Sequence, residues 1–310
     1  MRSFRSFEAL PADAFTHPTA VTIGKFDGIH KGHRAIIERL LAVSKEHSLE
    51  PAVFTFTENP LKVLNPAACP PALNSPEQRF ELLAGLGISA ALMVDFTREL
   101  SEFSPEEFAQ KVLREGMNAR QVLMGADFRF GRGGSGDVEL LTQLGRELGF
   151  AVHITEDVVF DGKRVSSSRI RALLAAGDIA AAAQLLERPV RIRGLVVHGA
   201  ERGRLLGFPT ANLQPKYEGL APADGVYAGL AHVAGKTHMA AISIGGNPTF
   251  TPDAPSQVEV HLLDFRGSIY GELMTVEFKH RLRGMTKFTG IDDLVKQMEA
   301  DIQQTRDLLI

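Results

Sequence analysis

The stretch AVTIGKFDGIHKGHRAIIERLL (residues 20–41) decides how this chain is read. Its first four residues are largely apolar and the run is short enough for a buried strand, and residues 34–47 carry Ile36, Ile37, Leu40 and Leu41 at helical spacing. Between them lies a loop with Gly24, Gly28 and Gly32, and with His30 and His33 where the loop turns into the helix. Glycine removes side chains where a ligand's phosphates could approach. A helix beginning near His33 directs free N–H groups and the positive end of its dipole at the same space. The two histidines are three apart, so both can face it and donate hydrogen bonds to phosphate oxygens as charge builds. The arrangement suits phosphoryl or nucleotidyl transfer. The plainer alternatives are a glycine-rich turn with two surface histidines, or a pair of metal ligands. The strand before and helix after favour the phosphate reading.

Outward from this stretch the first half alternates strand and helix patterns. PAVFTF (51–56), SAALMV (89–94), RQVLMG (120–125) and FAVHI (150–154) read as strands. NSPEQRFELLAGLG (74–87) places Ser75 as N-cap, Pro76 first in the helix and Gln78 to complete a capping box, and Ser104, Pro105 and Glu107 repeat the device. A further helix follows Asp137. Strands separated by helices of this length predict a parallel sheet covered on both faces, with ligands bound beyond the carboxyl ends where strand order reverses.

After about residue 187 the pattern changes to strands and tight turns: GVYAGLAHV (225–233), MAAISIG (239–245), QVEVHLLDF (257–265) and IYGELMTVEF (269–278), with Gly235 and Gly267 at turns. Short, closely spaced strands suggest an antiparallel barrel. A helix over 291–309 closes the chain, its apolar face formed by Ile291, Leu294, Val295, Met298 and Ile302. The expected architecture is therefore α/β followed by β, with domains at 1–187 and 188–310.

The bulk properties narrow the partners. Net charge over 310 residues is −3, with no block of basic residues to hold nucleic acid or an anionic membrane. No run is long enough to span a bilayer. The one cysteine, Cys69, cannot form an intrachain disulfide, which fits a reducing cytosol.

GKFDGIHKGH (24–33) resembles the signature of the HIGH-type nucleotidyltransferases and, more narrowly, the start of the bifunctional riboflavin kinase/FMN adenylyltransferase (FAD synthetase) family. MGADFRFGRGGSGD (124–137) is similar to that family's Gly-x-Asp-Phe-x-Phe-Gly loop, and VSSSRIRALLAAGD (165–178) to its Ser-Ser-Thr-x-Ile-Arg motif with Ser168 in place of threonine. VVHGAERGRLLGFPTANL (196–213) resembles the riboflavin kinase signature, and SIGGNPTF (243–250), YGE (270–272) and RLRGMTKF (281–288) also match family segments. The resemblance implies a Rossmann-like HIGH-type domain in front and a six-stranded kinase barrel with a terminal helix behind, turning riboflavin into FMN and FMN into FAD with ATP.

It also implies residue roles. His30, His33 and Arg171 are expected to act in adenylyl transfer, and Glu259 as base of the kinase. ATP is expected at Gly24, Phe26, Gly28, Gly32, Ser166, Ser167 and Ser168 in front, and at Gly199, Arg204 and Gly207 behind. Flavin is assigned to Asn59, Asp127, Phe128, Arg129 and Arg283. Mg²⁺, with ATP as co-substrate, is assigned to Thr210 and Asn212. Alternation in 258–262 puts Val258, Val260 and Leu262 on one side and Glu259 and His261 on the other.

Two stretches depart from the family pattern. Phe56-Thr57-Glu58-Asn59-Pro60 stands where relatives often carry Phe-x-Pro-His-Pro, and Gly284-Met285 stands where many have Pro-Glu. The competing functions are a HIGH-type enzyme with another acceptor, such as phosphopantetheine or nicotinate mononucleotide, and a flavin-binding module without catalysis. Partners are riboflavin, FMN and ATP, with transient self-association left open.

Overall fold

A computed structural model describes residues 1–7, 9–11, 13–199, 206–245 and 256–309. Its contacts gather into two units, Met1–Ser166 and Ser167–Ile310.

The first unit is built on a six-stranded parallel sheet. Its strands are β1 (Arg2–Phe4), β2 (Thr19–Ile23), β3 (Glu50–Phe56), β4 (Ala90–Val94), β5 (Ala119–Gly125) and β6 (Ala151–Thr155), in spatial order β1-β4-β3-β2-β5-β6. The chain runs outward from β2 through β3 to β4, then returns to the other side of β2 as β5, so the order reverses between β2 and β5. Helix α1 (Lys31–Glu46) follows β2 directly.

Both faces of the sheet are covered because successive strand residues point to opposite sides. Ala20, Val53, Ala91 and Leu123 face one layer, shared with Ile37, Leu40 and Val43 of α1. Val21, Phe54, Leu92, Val122 and Met124 face the other, against Val112, Leu113, Leu141 and Leu144. Ile37 and Leu40 are 1% and 0% exposed, and each fully buried side chain of this size contributes about 1.5–3 kcal/mol.

Local signals were followed closely. Ser75 and Gln78 form a capping box on the helix Pro76–Gly85, Ser104 and Glu107 form a second, and Asp137 caps Val138–Leu148 through the Leu140 N–H. After Glu107 the chain winds on as π-helical turns, Phe108–Gly116, where the spacing predicted ordinary helix. Strand β1, which the sequence did not reveal, adds to the sheet edge beside β4. A small antiparallel hairpin, β7 (Val159–Phe160) and β8 (Lys163–Arg164), ends the unit.

The second unit opens with the helices Ser167–Ala176 and Ile179–Leu186. Then β9 (Val190–Val197), β10 (Ala211–Leu213), β11 (Gly225–Val233), β12 (Lys236–Gly245), β13 (Gln257–Leu262) and β14 (Leu273–Arg283) close into a barrel in the order β10-β13-β12-β11-β14-β9. All six pairings are antiparallel. Ala234 and Gly235, with φ of +49° and +72°, make the two-residue turn between β11 and β12, the geometry that matches strand twist.

The closing helix, Ile291–Leu309, packs on its expected side, with Leu294, Val295, Met298 and Ile302 half-buried. Of the five expected residues Ile291 is the one exposed, at 55%, and Asp301 and Thr305 are buried on the same side. The reason is charge. Asp301 receives the Arg283 guanidinium at 2.7–3.2 Å and the Gln297 amide at 2.9 Å, which turns a polar stripe inward.

Candidate active sites

In the first unit, the loops after β2 and β5 flank the reversal of strand order, the position where open parallel sheets hold ligands. The β2 loop reaches α1 through an unusual backbone. Phe26, Gly28 and Ile29 have φ of +47°, +92° and +38°. Two of the three carry side chains, and such residues cost about 1–3 kcal/mol each unless the surroundings hold them. Burial fixes the two side chains here, with Phe26 and Ile29 at 1% and 0% exposed beneath α1.

His30 is the N-cap of α1, its Nδ1 accepting the His33 N–H at 3.4 Å. The rings of His30 and His33 stack with centroids 3.8 Å apart and planes 13° from parallel. The expected pairing of the two imidazoles is thus present at the start of the helix.

The glycines have a further role beyond access. A Cβ at Gly24 would stand 3.1 Å from the Phe26 ring, and one at Gly32 3.2 Å from the His30 ring. Both make room for the loop's own rings. Phe26, expected among the ATP residues, packs its ring into the core.

Sequence reading missed the segment that braces this loop. Asn74 Oδ1 accepts the Gly28 N–H at 2.6 Å, and Leu73 N–H donates to Asp27 Oδ1 at 2.8 Å. Arg79, 4% exposed, donates to the Phe56 carbonyl at the end of β3. Burial pushes its pKa down and the nearby Asp27 carboxylate pulls it back up. The signal available in sequence was only a polar run around a capping box, which is ordinary at a helix start.

The expected flavin residues of this unit make specific partners. Asn59 Oδ1 accepts the Leu61 N–H at 3.1 Å, bracing the turn that follows β3. Asp127 pairs with Arg164 of β8 at 2.7 Å, and Arg129 with Asp137 at 3.4 Å. Phe128 stacks on Phe130 at 5.6 Å, and Phe130 packs on Phe108. Asp127 and Arg129 are exposed beyond β5, so the loop presents a polar rim over an aromatic base. Ser166 closes the first unit, while Ser167 and Ser168 open the helix Ser167–Ala176 of the second, with Arg171 in its second turn.

In the barrel, β13 alternates as expected. Val258, Val260 and Leu262 are 2%, 0% and 5% exposed, and Glu259 and His261 point the other way. Glu259 is the register partner of Asn212 on β10 and of Ser243 on β12. Thr210 Oγ1 donates to Glu259 Oε2 at 3.2 Å. The barrel therefore gathers Thr210, Asn212 and Glu259 into one oxygen-rich group. His261 Nδ1 and the Pro209 carbonyl lie 2.8 Å apart, a bond that holds the turn just before Thr210.

A Cβ at Gly199 would fall 2.2 Å from the Asn212 amide, so only glycine lets the backbone pass there. Gly207 has φ of +90°, and Arg204 lies outside the described residues. Arg283, expected at flavin, spends its guanidinium on Asp301 and on the Gly284 carbonyl, with the Phe288 ring 5.8 Å away. Met285 lies 3.2 Å from the position of a Cβ on Gly245, which pairs with Gln257 two residues before Glu259.

A strained, imidazole-bearing loop at a parallel-sheet switch point and a carboxylate among oxygen ligands on a closed barrel define a two-unit enzyme of the phosphate-transfer class. Comparison with known proteins is specific. Residues 12–169 match the FAD synthetase family and residues 186–309 the riboflavin kinase family. A bifunctional riboflavin kinase/FMN adenylyltransferase of Pseudomonas fluorescens is 37% identical over 287 residues, 93% of this chain and 92% of that protein. A protein of the same description from Listeria monocytogenes is 35% identical over 99% of this chain and 98% of its own. The chain belongs to this bifunctional riboflavin kinase/FMN adenylyltransferase family. A crystal structure from Streptococcus pneumoniae, described as a macrolide-efflux protein, shares the fold with a TM-score of 0.87 and 32% identity over 98% of both chains. Among the described residues of the present chain, no helix is long and apolar enough to cross a membrane.

Proposed function

We propose that the chain makes FAD from riboflavin in two ATP-dependent steps, with phosphorylation at the barrel and adenylyl transfer at the parallel sheet. The observation that carries the reading is the group formed by Thr210, Asn212 and Glu259, a carboxylate set among neutral oxygen donors. It is what a neutral hydroxyl nucleophile needs.

At the barrel the riboflavin 5′-hydroxyl gives its proton to Glu259 as its oxygen bonds the γ-phosphorus and the β–γ bridge breaks to release ADP. Thr210 and Asn212 offer the hard oxygen ligands that Mg²⁺ takes beside nucleotide phosphates and water, and they would hold it; when bound, the ion neutralises phosphate charge. Gly199 and Gly207 remove side chains where a triphosphate could approach, and the 284–288 segment held by Arg283 supplies a flavin-facing wall.

At the sheet the nucleophile needs no base. The second pKa of a phosphate monoester is about 6, so FMN is already mostly dianionic at neutral pH. Its oxygen bonds the α-phosphorus and pyrophosphate leaves. Charge builds on the phosphates, and His30, His33 and the first N–H groups of α1 meet it. Asp127, Phe128, Arg129 and Asn59 are the flavin-side residues of this reading.

The functional division adopted is 1–187 for adenylyl transfer and 188–310 for phosphorylation. The setting is a reducing cytosol, in keeping with a single cysteine. Incubating the protein with ATP, Mg²⁺ and riboflavin, then separating products, tests the whole proposal. FMN should appear first and FAD after it, with ADP and pyrophosphate. Flavin binding without turnover would favour a non-catalytic module. AMP transfer to phosphopantetheine or nicotinate mononucleotide, with none to FMN, would favour another acceptor.

A further inference from the structure

The β2 loop has to hold a β-branched residue, Ile29, at φ +38°, next to Gly28 at +92° and close to Phe26 at +47°. Backbone in this region persists where its surroundings over-determine it. Burial of Phe26 and Ile29 fixes two side chains but leaves the backbone between them to be held by other means. The segment 73–79, 46 residues away in sequence, provides the hold. Its Asn74 accepts from Gly28 N–H, and its Leu73 N–H donates to Asp27. The two bonds run in opposite directions between adjacent residue pairs, so they fix register as well as distance. Asn74 is 5% exposed, and both bonds are therefore largely shielded from competing water. Arg79 completes the brace, tying the end of β3 through the Phe56 carbonyl while its charge faces Asp27.

We infer that Asn74 is a positioning residue for adenylyl transfer: by holding the Gly28 N–H it sets the loop so that the stacked His30–His33 pair and the start of α1 are presented to the reacting phosphates. The inference rests on adenylyl transfer being the reaction of this unit. Asn74 acts through the loop, its Oδ1 being committed to a buried backbone N–H. The bond is one residue from Ile29 and two from His30, so slack there reaches the imidazoles directly. Contacts that matter in the transition state are affected most, and ground-state binding of ATP least.

The test compares Asn74→Ala with Asn74→Asp, which keeps an acceptor oxygen at the same place. FMN-to-FAD conversion and riboflavin phosphorylation are measured on the same preparation, well below each variant's thermal midpoint. Losing a buried hydrogen-bond partner predicts that Asn74→Ala lowers kcat for FMN adenylylation by about tenfold or more. KM for ATP should change by less than about twofold, because the loss falls on the transition state. Asn74→Asp should recover much of the rate, and riboflavin phosphorylation should stay at the parent value in both. Wild-type kcat in the folded Ala variant would overturn the inference, as would a rise in KM for ATP alone, or an Asp variant no better than Ala. A rate that returns to the parent value when corrected for the folded fraction would reduce Asn74 to a stabilising residue. If the parent protein itself fails to convert FMN, the underlying reading falls instead.

Discussion

The two proposed sites lie on opposite kinds of backbone. In the first, the histidines sit at the end of a loop with three positive-φ residues and stack at the mouth of a helix. In the second, Glu259 lies mid-strand in regular pairing with neighbours on both sides. In the proposed reactions the difference matches what each nucleophile lacks. A hydroxyl lacks a charge and needs a base held at a fixed point, which a barrel strand supplies with little freedom. A phosphate dianion has its charge already, and needs converging N–H donors, which regular strands cannot offer because their N–H groups are used in the ladder. A tight loop leading into a helix can.

Changes that remove one site and spare the other sharpen this contrast. Glu259→Gln keeps shape and removes the base, so FMN formation should fall by about 10²–10⁴-fold while FMN-to-FAD conversion is unchanged, as chromatography of the two reactions would read. His30→Asn preserves an N-cap acceptor for α1 and removes the imidazole. FAD formation from FMN should drop by about 10²–10³-fold with riboflavin phosphorylation intact.

A third change separates stability from chemistry. Asp301→Ala leaves Arg283 without its carboxylate, in a pair whose side chains are 6% and 22% exposed. Removing one partner of such a pair should destabilise the barrel by about 2–4 kcal/mol, seen as a lowered melting transition, while adenylylation of FMN at a permissive temperature is retained. The smallest effect is expected at the β11–β12 turn. Gly235→Ala places a side chain at φ +72° with no contact to relieve it, and should cost about 1 kcal/mol by denaturant titration with both activities kept.

What could be read from sequence was what neighbouring residues decide among themselves. The two capping boxes, the strand-to-helix passage at 20–41 and the alternation around Glu259 each depend on spacings of a few residues, and all are present. Long-range matters were hidden. Strand β1 is three residues long and becomes a strand by pairing with β4, some ninety positions away. The Asn74–Gly28 bond spans 46 residues and resembles an ordinary polar turn from either end. The last helix packs on the apolar side read from sequence, but the burial of Asp301 within that side was not legible, because its partner Arg283 lies 18 positions away. Arg283, expected at flavin, is engaged with Asp301, a pairing that sequence spacing did not show. The glycines were legible as close-approach positions, but the approaching groups at Gly24 and Gly32 include the loop's own rings.

The central claim is that the two transfers use separate machinery on one chain, and mixing two damaged proteins tests it most directly. Over a short incubation Glu259→Gln alone should make little FMN, and His30→Asn alone should accumulate FMN with little FAD. Combined with riboflavin, ATP and Mg²⁺, the pair should form FAD, each supplying the step the other lacks. A mixture of folded variants that yields no more FAD than either protein alone would contradict the account.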